Sequence, residues 1–134
     1  MAEEYIEEAR DIAFVATAQP KTFTQWRARH QELVYMAIKT LTAVQALSSP
    51  VMTQLDRAKT GLRLAQVLYE ETENHDRAEA EVAQAIILAD SVQGSQALEI
   101  HLRLYELQIM IYMRKKQFRL AKNTLRLASA EAEK

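Results

Sequence analysis

The chain has 134 residues, 49% of them apolar and 26% charged, a balance that supports one folded domain with a moderate core rather than a disordered tail. A formal net charge of −1 gives no bulk attraction to nucleic acid or to a membrane surface. Two glycines, two prolines and no cysteine exclude glycine-rich phosphate loops, disulfides, thiolate metal sites and a cysteine nucleophile, and they leave little for the turns of a β fold. The absence of cysteine also fits a reducing compartment. The opening residues, Met1 to Glu8, are acidic and lack the basic start and apolar run of a secretion signal. No window approaches the roughly 18 apolar residues that a membrane span requires.

Apolar spacing predicts six helices. The first runs from about Ala2 to Ala18, with Tyr5, Ala9, Ile12 and Ala16 on one face, and stops before Pro20. Thr22 and Gln25 form a capping-box pattern for the second, whose stripe is Phe23, Trp26, His30, Leu33, Ala37, Leu41 and Val44, ending near Leu47. Ser49-Pro50 reads as the start of the third, with proline in the first turn, and Leu55, Ala58, Leu62, Ala65 and Tyr69 follow. It fades at Glu73-Asn74. Asp76 with Glu79 reads as the cap of the fourth helix, which carries Ala78, Val82, Ala85 and Ala89. Gly94 is expected as its C-terminal cap and Ser95 as the next N-cap. The fifth helix runs to about Lys115 and is apolar on several sides, so it is expected to be buried between neighbours. The sixth starts near Gln117 with Phe118, Ala121, Leu125 and Ala128 on its stripe, and Leu125, Leu127 and Ala128 are left with no seventh helix to cover them. Such short links require antiparallel neighbours, so the expected fold is all-α: six antiparallel helices in three hairpins, about 2–47, 51–93 and 95–133, in one array over residues 1–134.

The last two hairpins share a pattern. Ala78, Val82 and Ala85 match Ala121, Leu125 and Ala128, with the key alanines 43 residues apart, and Tyr69 and Tyr112 precede them by equal steps. This set resembles the tetratricopeptide repeat, in which a large residue of the first helix packs over a small one of the second. The resemblance implies a TPR-like right-handed array. The period is longer than the usual repeat of about 34 residues, Gln66 and Ile109 stand where a small residue is usual, and Asp90 replaces the closing proline.

No constellation of catalytic residues is visible. His30, His75 and His101 match no metal-ligand spacing; His30 reads as a boundary histidine and His75 as a turn residue. The acids Glu70, Glu71, Glu73, Asp76, Glu79 and Glu81 read as a solvated helix junction. Lys115, Lys116, Arg119, Lys122 and Arg126, after Arg114, form a basic stretch. Four of them, Lys115, Arg119, Lys122 and Arg126, are expected on one face of the sixth helix, as a solvated face, an acidic-partner contact or a phosphate contact. No metal, cofactor or active site is expected, and the chain reads as a non-enzyme.

The segment from Leu62 to Glu81, with its apolar helix, its Glu-Thr-Glu-Asn turn at residues 71–74 and the following Ala78-Glu79 pair, resembles the N-terminal region of the cohesin loading factor family. Residues Glu4 to Phe14 are similar to that family's first helix more loosely. The resemblance implies the opening part of a longer solenoid. It implies a non-catalytic, nuclear adaptor that wraps the extended N-terminal segment of the large HEAT-repeat subunit of the cohesin loader and supports cohesin loading onto chromatin and sister-chromatid cohesion. Transferring ordinary repeat geometry puts the partner-binding positions at Arg63, Val67, Glu70, Glu71, Arg103, Glu106, Met110, Met113 and Arg114. The competing functions are a nucleic-acid module using the basic face of the sixth helix, and a protein-interaction domain of another complex.

Overall fold

Six helices carry the chain, and no strand occurs among the described residues: α1 (Ala2–Ala18), α2 (Phe23–Ala46), α3 (Gln54–Glu71), α4 (His75–Asp90), α5 (Ser95–Arg114) and α6 (Phe118–Ala132). The computed structural model describes residues 2–18, 23–46 and 53–133; the side chains at 12–18, 23, 24 and 26 lie outside that description. The fold is all-α. The chain divides into two compact units, Met1–Ala46 and Leu47–Lys134.

In the first unit α1 packs on α2. Ile6, Ala9, Leu33, Val34, Ala37 and Leu41 are buried, each at 8% exposure or less. The expected α2 stripe therefore holds at Leu33, Ala37 and Leu41, while its Phe23 and Trp26 side chains, and the Thr22 cap, lie outside the described residues. His30 is a satisfied boundary residue. Its Nδ1–H donates to the Ala9 carbonyl at 2.6 Å, and since a carbonyl only accepts, the bond selects the Nδ1-protonated tautomer.

In the second unit α3 packs on α4 and α5, α4 on α5, and α5 on α6. Links of three or four residues turn the chain back each time, so α3 and α5, the first helices of their hairpins, run parallel side by side. The arrangement is compatible with tetratricopeptide-like stacking. The core comes from Ala58, Leu62, Leu64, Ala65, Val67 and Leu68 of α3, Ala78, Val82, Ala85 and Ala89 of α4, and Ala97, Ile100, Leu104, Leu107 and Ile111 of α5.

Three helix starts differ from the sequence reading. The N-cap of α3 is Thr53, not Ser49: Thr53 accepts from the Asp56 amide at 3.1 Å, and Asp56 accepts in return from the Thr53 amide at 3.3 Å. This reciprocal box satisfies two amides at once, which a serine before proline does not match. The N-cap of α4 is Asn74, which accepts from the Arg77 amide at 3.2 Å, and Asp76 sits in the first turn. Gly94 precedes α5 at the N-cap position rather than closing α4, which ends at Asp90 with Ser91 as its cap. Its φ of 118° is a conformation that a side chain resists.

The repeat equivalence also fails at one point. Val82 is fully buried, but Leu125, its expected counterpart, is 56% exposed, and Thr124 takes the buried position. The Thr124 hydroxyl is within 3.2 Å of the Gln108 amide oxygen and 3.1 Å of the Leu120 carbonyl, so a polar residue is satisfied facing α5.

Candidate functional site

The accessible face of the second unit is built by α5 and its parallel neighbour α3. On α5 the exposed residues Gln96, Glu99, Arg103, Glu106, Met110 and Met113 recur at steps of three and four, one continuous helical face. On α3 the matching positions are Lys59, Arg63, Gln66 and Glu70, exposed or half-buried. As expected, α5 lies between neighbours, α3, α4 and α6, and this one face of it stays open.

The face is chemically polarised. Between the middle of α3 and the N-terminal half of α5 lies a cleft of about 410 Å³ lined by Lys59, Leu62, Arg63, Gln66, Gln96, Glu99, Ile100 and Arg103. Three cations stand there against one carboxylate. Arg103 reaches Glu99 at 3.0 Å, with both side chains more than half exposed, and Arg63 donates to Gln66 at 3.4 Å. Toward the other end α5 presents Met110 and Met113, 37% and 51% exposed.

Beyond the methionines the face closes in a clasp between hairpins. The Arg114 guanidinium lies 5.5 Å from the Tyr69 ring centre, and that ring meets His75 at 5.6 Å. Lys115 donates to Asp76 at 2.7 Å and to Glu79 at 2.6 Å. The Lys115 hydrogen bond, then its charge, hold the Asp76 carboxyl below the usual carboxylate range. Hydrogen bonds to Asp76 and Glu79 hold the Lys115 ammonium well above the usual lysine range. Burial, then the charge of Glu79, push the Tyr112 phenol up.

The structure thus redistributes the residues that the sequence singled out. Arg63, Arg103, Glu106, Met110 and Met113 lie on the open face. Arg114 is exposed but engaged with Tyr69. Glu70 is exposed and Glu71 half-buried, and each has a partner of its own. Val67 is 1% exposed and belongs to the core, because its side of α3 faces the neighbouring helices. Lys115 is not on a face of α6: it caps α5 and is drawn into the acidic turn. Lys116 occupies the α5–α6 link with φ of 61°. Arg119, Lys122 and Arg126 remain as an exposed ridge on α6. Lys59, Gln66, Gln96 and Glu99 are the lining residues that the sequence reading missed. Their signal was available, since Lys59 precedes Arg63 by one turn and Gln96 and Glu99 continue the spacing of Arg103.

A second cleft, of about 580 Å³, lies at the α4–α5 turn, and His101 and Asp90 are among its lining residues. His101, 6% exposed, donates from Nε2 to Asp90 at 2.7 Å and stacks on Tyr105 at 5.9 Å. Asp90 stands where the repeat usually has proline, and here it anchors the next helix through that histidine. Among the described residues no group of three or more His, Asp or Glu side chains could hold a metal ion. No helix among them is long and apolar enough to cross a membrane.

Helical hairpins with one open, polarised face define an all-α, helical-hairpin protein. The profile of the cohesin loading factor family matches residues 1–134, the whole length given, and the chain belongs to that family. Its family indicates a role in cohesin loading. No curated protein and no solved structure gives a significant match.

Proposed function

We propose that this chain is a non-catalytic adaptor of the cohesin loader that holds the extended N-terminal segment of the large HEAT-repeat subunit, and so supports cohesin loading onto chromatin and sister-chromatid cohesion in the nucleus. The observation that carries the reading is the open face of α3 and α5 in a chain of this family. Parallel neighbouring helices make a long shallow groove, the geometry with which helical repeats hold an extended polypeptide. Exposed methionines adapt to irregular side chains.

The test is capture of the large subunit's N-terminal segment by the purified chain, compared with Arg103→Glu and Met110→Asp. Both positions are exposed, so both variants are expected to fold. Binding is expected to fall about tenfold or more, the range of a truncated interface anchor. Unchanged binding by both folded variants refutes the assignment of this face.

The ridge of Arg119, Lys122 and Arg126 supports a second reading, phosphate contact by α6. It is weakened by the withdrawal of Lys115 into the acidic turn. A gel-mobility shift at low salt, abolished by Lys122→Glu with Arg126→Glu, is its expected signature; no shift at low salt rejects it.

A further inference from the structure

Granting the reading above, that a partner segment lies along α3 and α5, we infer that this face selects a pattern: an acidic side chain over Lys59, Arg63 and Arg103, and a bulky apolar side chain over Met110 and Met113, four positions apart in the bound segment.

The charge end is specified by composition and geometry. The cleft gathers three cations around one acid, and Leu62 and Ile100 line it as well, a surface suited to the methylenes of an aspartate or glutamate. Arg103 is already paired, but with Glu99 on the same helix and with both groups more than half exposed. Such exposed pairs are weak, so an incoming carboxylate replaces Glu99 at little cost. An incoming cation meets Lys59, Arg63 and Arg103 in the cleft, and the one acid there, Glu99, is already held by Arg103. The apolar end is specified by Met110 and Met113, which are 37% and 51% exposed.

The spacing follows from the helix. Met110 lies seven residues beyond Arg103 on α5, about 10 Å along the axis at roughly 1.5 Å per residue. Met113 lies ten residues beyond it, about 15 Å along. An extended segment advances about 3.3 Å per residue, so it covers these distances in about three to five positions. Side chains of an extended segment alternate between its two faces, so an acid and an apolar residue four apart, about 13 Å, reach both ends together. Adjacent ones cannot.

The full chain labelled at its methionine methyls tests this by NMR titration. The probes are capped glycine–serine peptides of about twelve residues, flexible by composition, each carrying one Glu and one Leu. Two place them four positions apart, in either order. One places them side by side, and one replaces Glu by Lys. A spaced peptide is expected to move the Met110 and Met113 methyl resonances with about fivefold higher affinity than the side-by-side or Lys peptide, the scale of a weak exposed ion pair. Lys59→Glu with Arg103→Glu is expected to erase that preference while the remaining spectrum stays folded. Equal affinities, a preference for the Lys peptide, or a preference that survives charge reversal overturns the inference. The large subunit's N-terminal segment is titrated in parallel. If it moves the methyls and the designed peptides do not, the pattern is wrong and the binding face stands. If neither moves them, both are wrong.

Discussion

Leu104→Ala and Leu125→Ala delete the same atoms from two helices that pack together, and the structure assigns them very different costs. Leu104 is 0% exposed in the middle of α5, which touches α3, α4 and α6. Its truncation loses the full transfer free energy and leaves a cavity, about 2–5 kcal/mol. Leu125 is 56% exposed. Less than half of its surface is withdrawn from water and solvent fills the space it leaves, so the cost is about 1 kcal/mol or less. Midpoints of thermal unfolding translate this into a fall of roughly 8–20 °C for Leu104→Ala and no more than about 4 °C for Leu125→Ala. Urea titration followed by far-UV circular dichroism measures the free energies directly. A Leu125→Ala cost equal to that of Leu104→Ala refutes the reasoning, because it places Leu125 in a core, as its alignment with Val82 suggested.

Three further outcomes follow from the caps and the clasp. Thr53→Ala breaks the reciprocal box that opens α3 and is expected to cost about 1 kcal/mol, with faster hydrogen exchange at the Asp56 amide; unchanged exchange there argues against the cap. Asp56 and Asp76 both have carboxyls held below the usual range, by Thr53 and by Lys115 respectively. A depressed folded-state value means stability that is present above the unfolded value of about 3.9 and is lost as pH falls through the folded one, so acid weakens both contacts. In Lys115→Met the Asp76 carboxyl is expected to titrate higher, toward the ordinary carboxylate range, read by carboxyl NMR, and an unmoved titration shows that Lys115 is not its partner.

Much of the fold was legible because periodicity is a local property. The bounds of α1 were read to the residue, the α2 stripe holds at Leu33, Ala37 and Leu41, and the α5–α6 break at Lys115 to Gln117 was found. The caps were less legible. Thr53-x-x-Asp56 and Asp76-x-x-Glu79 are equally good patterns, but Asp76 and Glu79 are taken by Lys115, a residue far along the chain that no local window contains. The same contact explains why the basic stretch was read as one face. Charge counting placed Lys115 with Arg119 and Lys122, although the backbone at Lys116 turns between them. Arg63, Arg103 and Met110, placed by transferred repeat geometry, are half-buried or exposed on the open face. Val67 was misplaced because it follows Arg63 by one turn, at the edge where the open side of α3 meets its buried one, and periodicity alone does not say which neighbour covers that edge. Leu125 and Leu127 are exposed, as the uncovered stripe of α6 led one to expect; only the pairing of Leu125 with Val82 failed, because among the described residues α6 meets α5 alone and its apolar stripe is wider than that contact.

Behind the open face, α3 and α4 meet with small buried residues on each: Ala58, Gly61 and Ala65 on one, Ala78, Ala85 and Ala89 on the other. Small side chains let helix axes come close, and the separation of a helix pair is set by what stands at its contact. That seam works as a spacer for the groove in front of it. Enlarging Ala78 or Ala85 pushes α4 against its neighbours and alters where α3 stands beside α5, so a change that no ligand could touch resets the distance between the cations and the methionines. Lys59, Arg103 and Met110 can be exchanged without that consequence. The chemistry of the open face and the width of the groove are thus written in two separate sets of residues, and the two can drift independently.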